Sequence, residues 1–211
     1  RRMPAPHFLL RLVAAGPDAV TAGLFLTLWI APLALGESGV RNALLVMLVE
    51  FVLIHAAGFL GGLLLNPALP RARRVLALAG FAGFYLMFVG AFMLAFREWW
   101  PVLVFGWLVL GKFGLIVTGR GASEAQTAVW GMSALIYLLG AFATILLPLP
   151  RLGVGVEVVG QLGLPGSGLW VEQPHRGLAF GFLYFGLLAV FKWHNVGLPT
   201  RIPTATRRRR G

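Results

Sequence analysis

Long apolar runs alternate with short polar connections along the whole chain. Six runs are long enough to cross a bilayer, over residues 18–35, 42–65, 72–96, 101–118, 125–147 and 177–193. A hydrocarbon core about 30 Å thick is spanned by about 20 apolar residues at ~1.5 Å rise each. The pattern therefore predicts an all-α polytopic membrane protein with six transmembrane helices in a single domain over residues 18–193.

Punctuation between the runs supports this division. Residues 1–17 place Phe8, Leu9, Leu10, Leu12 and Val13 around one Arg11, too short for a span, and predict a cytoplasmic interfacial arm. Asp18 is placed to N-cap the first crossing, and Pro32 to bend or end its far turn. Asn66-Pro67 closes the second run, and Arg97-Glu98-Trp99-Trp100-Pro101 makes a tight turn whose paired Trp residues suit a membrane–water interface. The one long connection, residues 148–176, carries GVEVVGQ, then GLPGSG, then LWVE. Alternation around a Gly-rich turn predicts a small β-hairpin in an extracytoplasmic loop. Such a loop either covers something or touches a neighbour, or is an ordinary solvated connection. No internal repeat marks an inverted-topology transporter.

Basic residues orient the helices. Arg1, Arg2, Arg11, Arg71, Arg73, Arg74, Arg120, Lys192, Arg201 and Arg207 to Arg210 fall on one side, against Arg41, Arg97, Arg151 and Arg176 on the other. The positive-inside rule then puts both termini in the cytoplasm, as an even number of crossings requires. The chain is expected in the cell membrane, the cytoplasmic one in a bacterium. It opens Arg1-Arg2-Met3 with no cleavable signal in view, and its natural start is expected to differ slightly.

Composition adds little beyond the class. With 58% hydrophobic and 12% charged residues among 211, the chain is too apolar for a soluble domain. The net charge of +11 would suggest nucleic acid in a soluble protein. Here the cations sit at helix ends, so the partner is an anionic inner leaflet and no nucleic acid is expected. The basic tail, residues 194–211, ends in Arg207, Arg208, Arg209 and Arg210, a cluster for lipid or partner contact. The absence of cysteine excludes disulfides and thiolate metal sites.

Candidate chemistry is confined to ionisable residues at membrane depth, where Asp, Lys or Arg costs ~2.5–3.5 kcal/mol on insertion scales. Glu50, Lys112 and His55 lie roughly 12, 18 and 20 Å from the outer ends of their helices at ~1.5 Å per residue, one central polar layer. Glu50 and His55, five positions apart, diverge by about 140° around their helix. An ion pair between Glu50 and Lys112 is the sharpest expectation, against a Lys112 that snorkels to the interface. The pair is read first as glue between helices and second as a proton or ion relay. No catalytic set or metal site is expected. The four histidines differ too much in depth to share an ion, so no cofactor is predicted, and haem or pigment would need a second subunit.

Small residues supply packing surface. Gly58 with Gly62 and Gly177 with Gly181 are candidate close-approach positions. In the outer loop, Trp170, Glu172 and His175 are candidate contacts, with capping or loop ordering weighed ahead of a peripheral metal. Sparse chemistry and abundant packing surface point to a non-catalytic scaffold or accessory subunit bound to other membrane subunits or to itself. The alternative is a small proton-coupled or ion transporter working through Glu50, His55 and Lys112.

Overall fold

The structure, a computed structural model, describes residues 5–64, 69–118 and 124–195, with the side chains of 5–7, 60–64, 112, 114–118 and 124–126 left aside. The described residues form helices and connections, with no strand. Five helices contain stretches long and apolar enough to cross a membrane, Phe8–Ile30, Gly39–Phe59, Arg71–Phe96, Thr127–Leu146 and Pro174–Asn195.

Helix α1 (Ala5–Ile30) runs unbroken through Pro17. The segment expected as an arm is thus continuous with the first span, and Asp18, expected as its N-cap, lies well inside the helix. Proline forfeits one backbone hydrogen bond, but here the flanking turns pack on the last helix. Leu12, Ala15, Gly16 and Ala19 share a groove with Ala189, Val190 and Trp193. The Phe8 and Trp193 rings also meet edge to face at 5.7 Å.

Helices α2 (Gly39–Leu64), α3 (Arg71–Phe96), α4 (Trp100–Thr118) and α5 (Glu124–Leu146) follow. The described apolar stretch of α4, Trp100–Gly111, is shorter than a span. Arg97 ends α3 in the left-handed conformation at φ 56°, its N–H returning to the Met93 carbonyl. The turn to α4 is correspondingly tight.

Two short helices, α6 (Val156–Gln161) and α7 (Leu169–Glu172), occupy the connection expected to hold a hairpin. That expectation is corrected here. Val154 and Leu162 are buried and Val158 and Val159 half-buried against the core, while Val156 is exposed. Positions 154, 158, 159 and 162 share one face at helical spacing, and a period of two would have buried Val156 beside Val154 and Val158.

Helix α8 (Pro174–Asn195) is buried nearly all round its first half. It lies between α1, α2 and α5, and α3 with α4 packs on the far side of α2. Two cores result. One joins α1, α2, α5, α8 and the connection through residues such as Phe25, Leu44, Met47, Tyr137, Phe180 and Tyr184. The other joins α2, α3 and α4 through Val52, Ala56, Leu78, Tyr85, Val89 and Phe105.

The connection is tied to helix ends at defined points. Trp29 Nε1 donates to the Pro150 carbonyl at 3.0 Å, and the Gly153 N–H donates to the Trp29 carbonyl at 3.1 Å. A side chain at Gly153 would run into the Ile30 carbonyl, so the approach demands glycine. Arg176 donates from Nη1 to the carbonyls of Thr144, Ile145 and Leu147 at 2.6, 3.0 and 3.3 Å. These are the orphan acceptors at the C-terminus of α5, where a cation also meets the favourable end of the helix dipole.

Candidate functional site

The polar groups inside the bundle are joined across helices. Glu50 on α2 accepts a hydrogen bond from the Tyr184 hydroxyl on α8 at 2.5 Å. That hydroxyl has spent its one proton, so its bond with Ser133 of α5 is one it accepts. A chain from Ser133 through Tyr184 to Glu50 therefore joins α5, α8 and α2. Nearby, the Tyr137 hydroxyl of α5 donates to the Met47 carbonyl of α2 at 2.8 Å.

A second pair lies toward the end of the bundle where α8 finishes. Lys192 Nζ of α8 stands 2.6 Å from Asp18 Oδ2 of α1, both side chains largely withdrawn from solvent. The two charges also act on Glu50. Asp18, Lys192, Glu50, Tyr184 and Ser133 thus make one electrostatically connected set drawn from four helices.

Local packing explains why these groups meet. At Gly177 an added Cβ would strike the Leu44 side chain of α2, and at Gly181 the Phe25 ring of α1. Glycine at both positions lets α8 approach both neighbours closely. One turn further on, Tyr184 enters a cage made with Phe180, Phe185 and Tyr137, with ring centroids 4.9 to 6.3 Å away. Its ring is fully enclosed and its hydroxyl reaches Glu50.

A cavity of about 180 Å³ adjoins Glu50 and Ser133, walled by Leu53, Ile54, Ala57, Leu108 and Trp130. His55 lies elsewhere. It is exposed on the other flank of α2, with its ring 4.1 Å from that of Phe51 and Nδ1 2.8 Å from the Phe51 carbonyl. A groove of about 490 Å³ between α2 and α5 runs past it. The divergence of Glu50 and His55 follows from their spacing, one toward α8 and one outward. Gly62 lies within α2, its surroundings undescribed, and the Lys112 side chain and Arg207 to Arg210 lie outside the described residues, so the pairing of Glu50 with Lys112 does too.

No protein-family profile, curated protein or solved structure matches this chain. What the site does must be read from its own chemistry.

The remaining expected residues have separate surroundings. Gly58 meets nothing within 4 Å of an added Cβ and lines the groove beside His55. Trp170 packs its ring 5.5 Å from Phe180. His175 is buried and Glu172 exposed, and no hydrogen bond or ion pair joins them among the described residues. Among those residues no group of three His, Asp or Glu side chains is placed to hold a metal.

Sequence reasoning passed over Asp18, Lys192, Tyr184 and Ser133 as members of this set. In the sequence Asp18 is placed as a cap and Lys192 counts only as one of the cations that orient the helices. Tyr184 and Ser133 carry no charge to mark them within their apolar runs. Two signals pointed to them: an acidic and a basic residue at matching depth near the ends of two apolar runs, and a Tyr one turn beyond a pair of glycines.

Proposed function

We propose that the chain is a non-catalytic integral scaffold or accessory subunit of a larger membrane assembly. It crosses the cell membrane six times with both termini cytoplasmic and its basic tail against the anionic inner leaflet. The observation that carries this reading is the mutual pairing of the internal polar groups. Asp18 with Lys192, and Glu50 with Tyr184 and Ser133, are spent on one another between helices, the arrangement that fixes helix register. Outward, α3 and α5 present broad apolar faces, among them Phe84, Phe88 and Leu94, and Leu135, Leu139 and Phe142. Such faces suit lipid and neighbouring subunits alike.

Mild extraction of the tagged full chain, followed by native mass measurement, tests the assembly. Co-migration with a membrane partner, retained through purification, is the expected result. A free monomer with no partner overturns it. Topology has its own test, because the chain carries no cysteine of its own. Cysteine at Gln161 should react with an impermeant maleimide in intact cells, and cysteine at Arg2 only after lysis.

A second reading rests on the cavity beside Glu50. A carboxylate, a hydroxyl and an indole at membrane depth are the parts of a small proton-coupled or ion carrier, with His55 and Lys112 as further groups. In liposomes that reading requires a pH-dependent flux that Glu50→Gln abolishes. Unchanged flux in Glu50→Gln removes it.

A further inference from the structure

The groove between α2 and α5 combines apolar walls with one polar atom that its own helix leaves unused. His55 Nδ1 faces the Phe51 carbonyl, which can only accept, so Nδ1 carries the proton and donates. In the neutral ring Nε2 then holds a bare lone pair on the side of the imidazole away from the helix backbone. It has no hydrogen-bond partner among the described residues. His55 sits nine residues before the end of α2 at Leu64, roughly 14 Å at ~1.5 Å per residue, at hydrocarbon depth. An acceptor left bare there is costly, since lipid tails offer no donor.

The groove has the shape and lining of a small-molecule site. Its volume of about 490 Å³ lies within the ~300–1,000 Å³ usual for such sites. Phe51, Phe59 and Tyr137 supply aromatic surface, and Gly58 leaves the floor open. The His55 ring is held in place twice, by the Phe51 carbonyl and by the Phe51 ring. An occupant that satisfies every wall is planar, membrane-soluble and able to donate one hydrogen bond.

We propose that this groove binds a lipid of the hydroquinone class, its ring against Phe51 and Tyr137 and one hydroxyl donating to His55 Nε2. An acyl chain fills the same walls but leaves Nε2 bare. The helix of a second copy covers the groove only by bringing a donor to that atom. His55 diverges from Glu50 by about 140° around α2, and the groove meets the surroundings of the Glu50 set only through the walls formed by Ile54 and Tyr137.

The test uses the full chain in nanodiscs, a hydroquinone with a decyl tail kept reduced, and its di-O-methyl ether, which has the same ring and no donor. Wild type is expected to bind the hydroquinone about tenfold more tightly than the ether, the scale of one hydrogen bond made away from water. His55→Leu should erase that preference by weakening the hydroquinone alone, and His55→Gln should keep part of it. Gly58→Phe, built where an added side chain meets open space, should weaken both ligands. Equal binding of the two probes by wild type, or a preference that survives His55→Leu, overturns the proposal. So does quantitative disulfide dimerisation of Gly58→Cys in native membranes that the hydroquinone does not slow, which gives the groove to a second copy.

Discussion

The contact between Tyr184 and Glu50 shows how far a single residue can be read from sequence. Glu50 stands out because a carboxylate at membrane depth demands a partner. Its partner does not stand out, because a tyrosine in an apolar helix is equally at home in a core or at an interface. Lys112 was the expected partner because charge is easier to notice than a phenol, and its side chain lies outside the described residues. The structural pairing carries a measurable consequence. Interhelical hydrogen bonds in bilayers average about 0.6 kcal/mol and reach about 1.7 kcal/mol. Tyr184→Phe should sit above that average, about 1–2 kcal/mol, because it also strands the Glu50 carboxyl. Tyr137→Phe should cost only about 0.6 kcal/mol, because the Met47 carbonyl can still serve the backbone of α2. Unfolding in mixed micelles would measure both. In a Glu50→Leu background most of the Tyr184→Phe cost should disappear, and a full cost that persists there would assign it to the bond from Ser133 rather than to Glu50.

At the scale of elements, five of the six expected spans were legible, and their ends were not. Long apolar runs announce helices because length and hydropathy do not depend on neighbours. The continuity of α1 through residue 17 was not legible, because Pro17 looks like a boundary until the packing of Phe8 on Trp193 is known. The connection before α8 was misjudged because six residues of Val, Glu, Gly and Gln fit either period until the core they face is placed. Glycine pairs were equally ambiguous, since spacing alone does not say which pair has a neighbour. The structure separates them and makes the difference testable. Gly181→Leu drives a side chain into the Phe25 ring and should destabilise the contact of α1 with α8 by about 1–3 kcal/mol. Gly58→Leu projects into open groove and should be neutral or slightly stabilising through helix propensity. Thermal unfolding of the two variants in the same detergent decides it, and equal loss in both would mean the two glycines are not distinguished by packing.

The arrangement of helices was not readable as the helices themselves were, because apolar helices in lipid carry little directional information about which face meets which partner. Once placed, α2 is the element both cores share, and this predicts how the molecule comes apart. Helices α3 and α4 pack chiefly on each other and on α2, while Tyr184 belongs to the other core and its hydroxyl reaches Glu50 at the edge where Leu53 and Leu108 wall the cavity. Ala56 is fully buried where α2 meets that outer pair, so Ala56→Phe overfills the second core while leaving the first untouched. The pair should undock as a unit. Cross-linking of cysteines placed at Phe59 and Phe81, whose rings stack at 6.1 Å, should then fail. Cross-linking of cysteines at Phe8 and Trp193, across α1 and α8, should persist at the wild-type level. Two separable cooperative units follow from a helix that serves both cores with different faces. Loss of both cross-links together would mean that α2 transmits the disturbance across its width, and that the molecule unfolds as one.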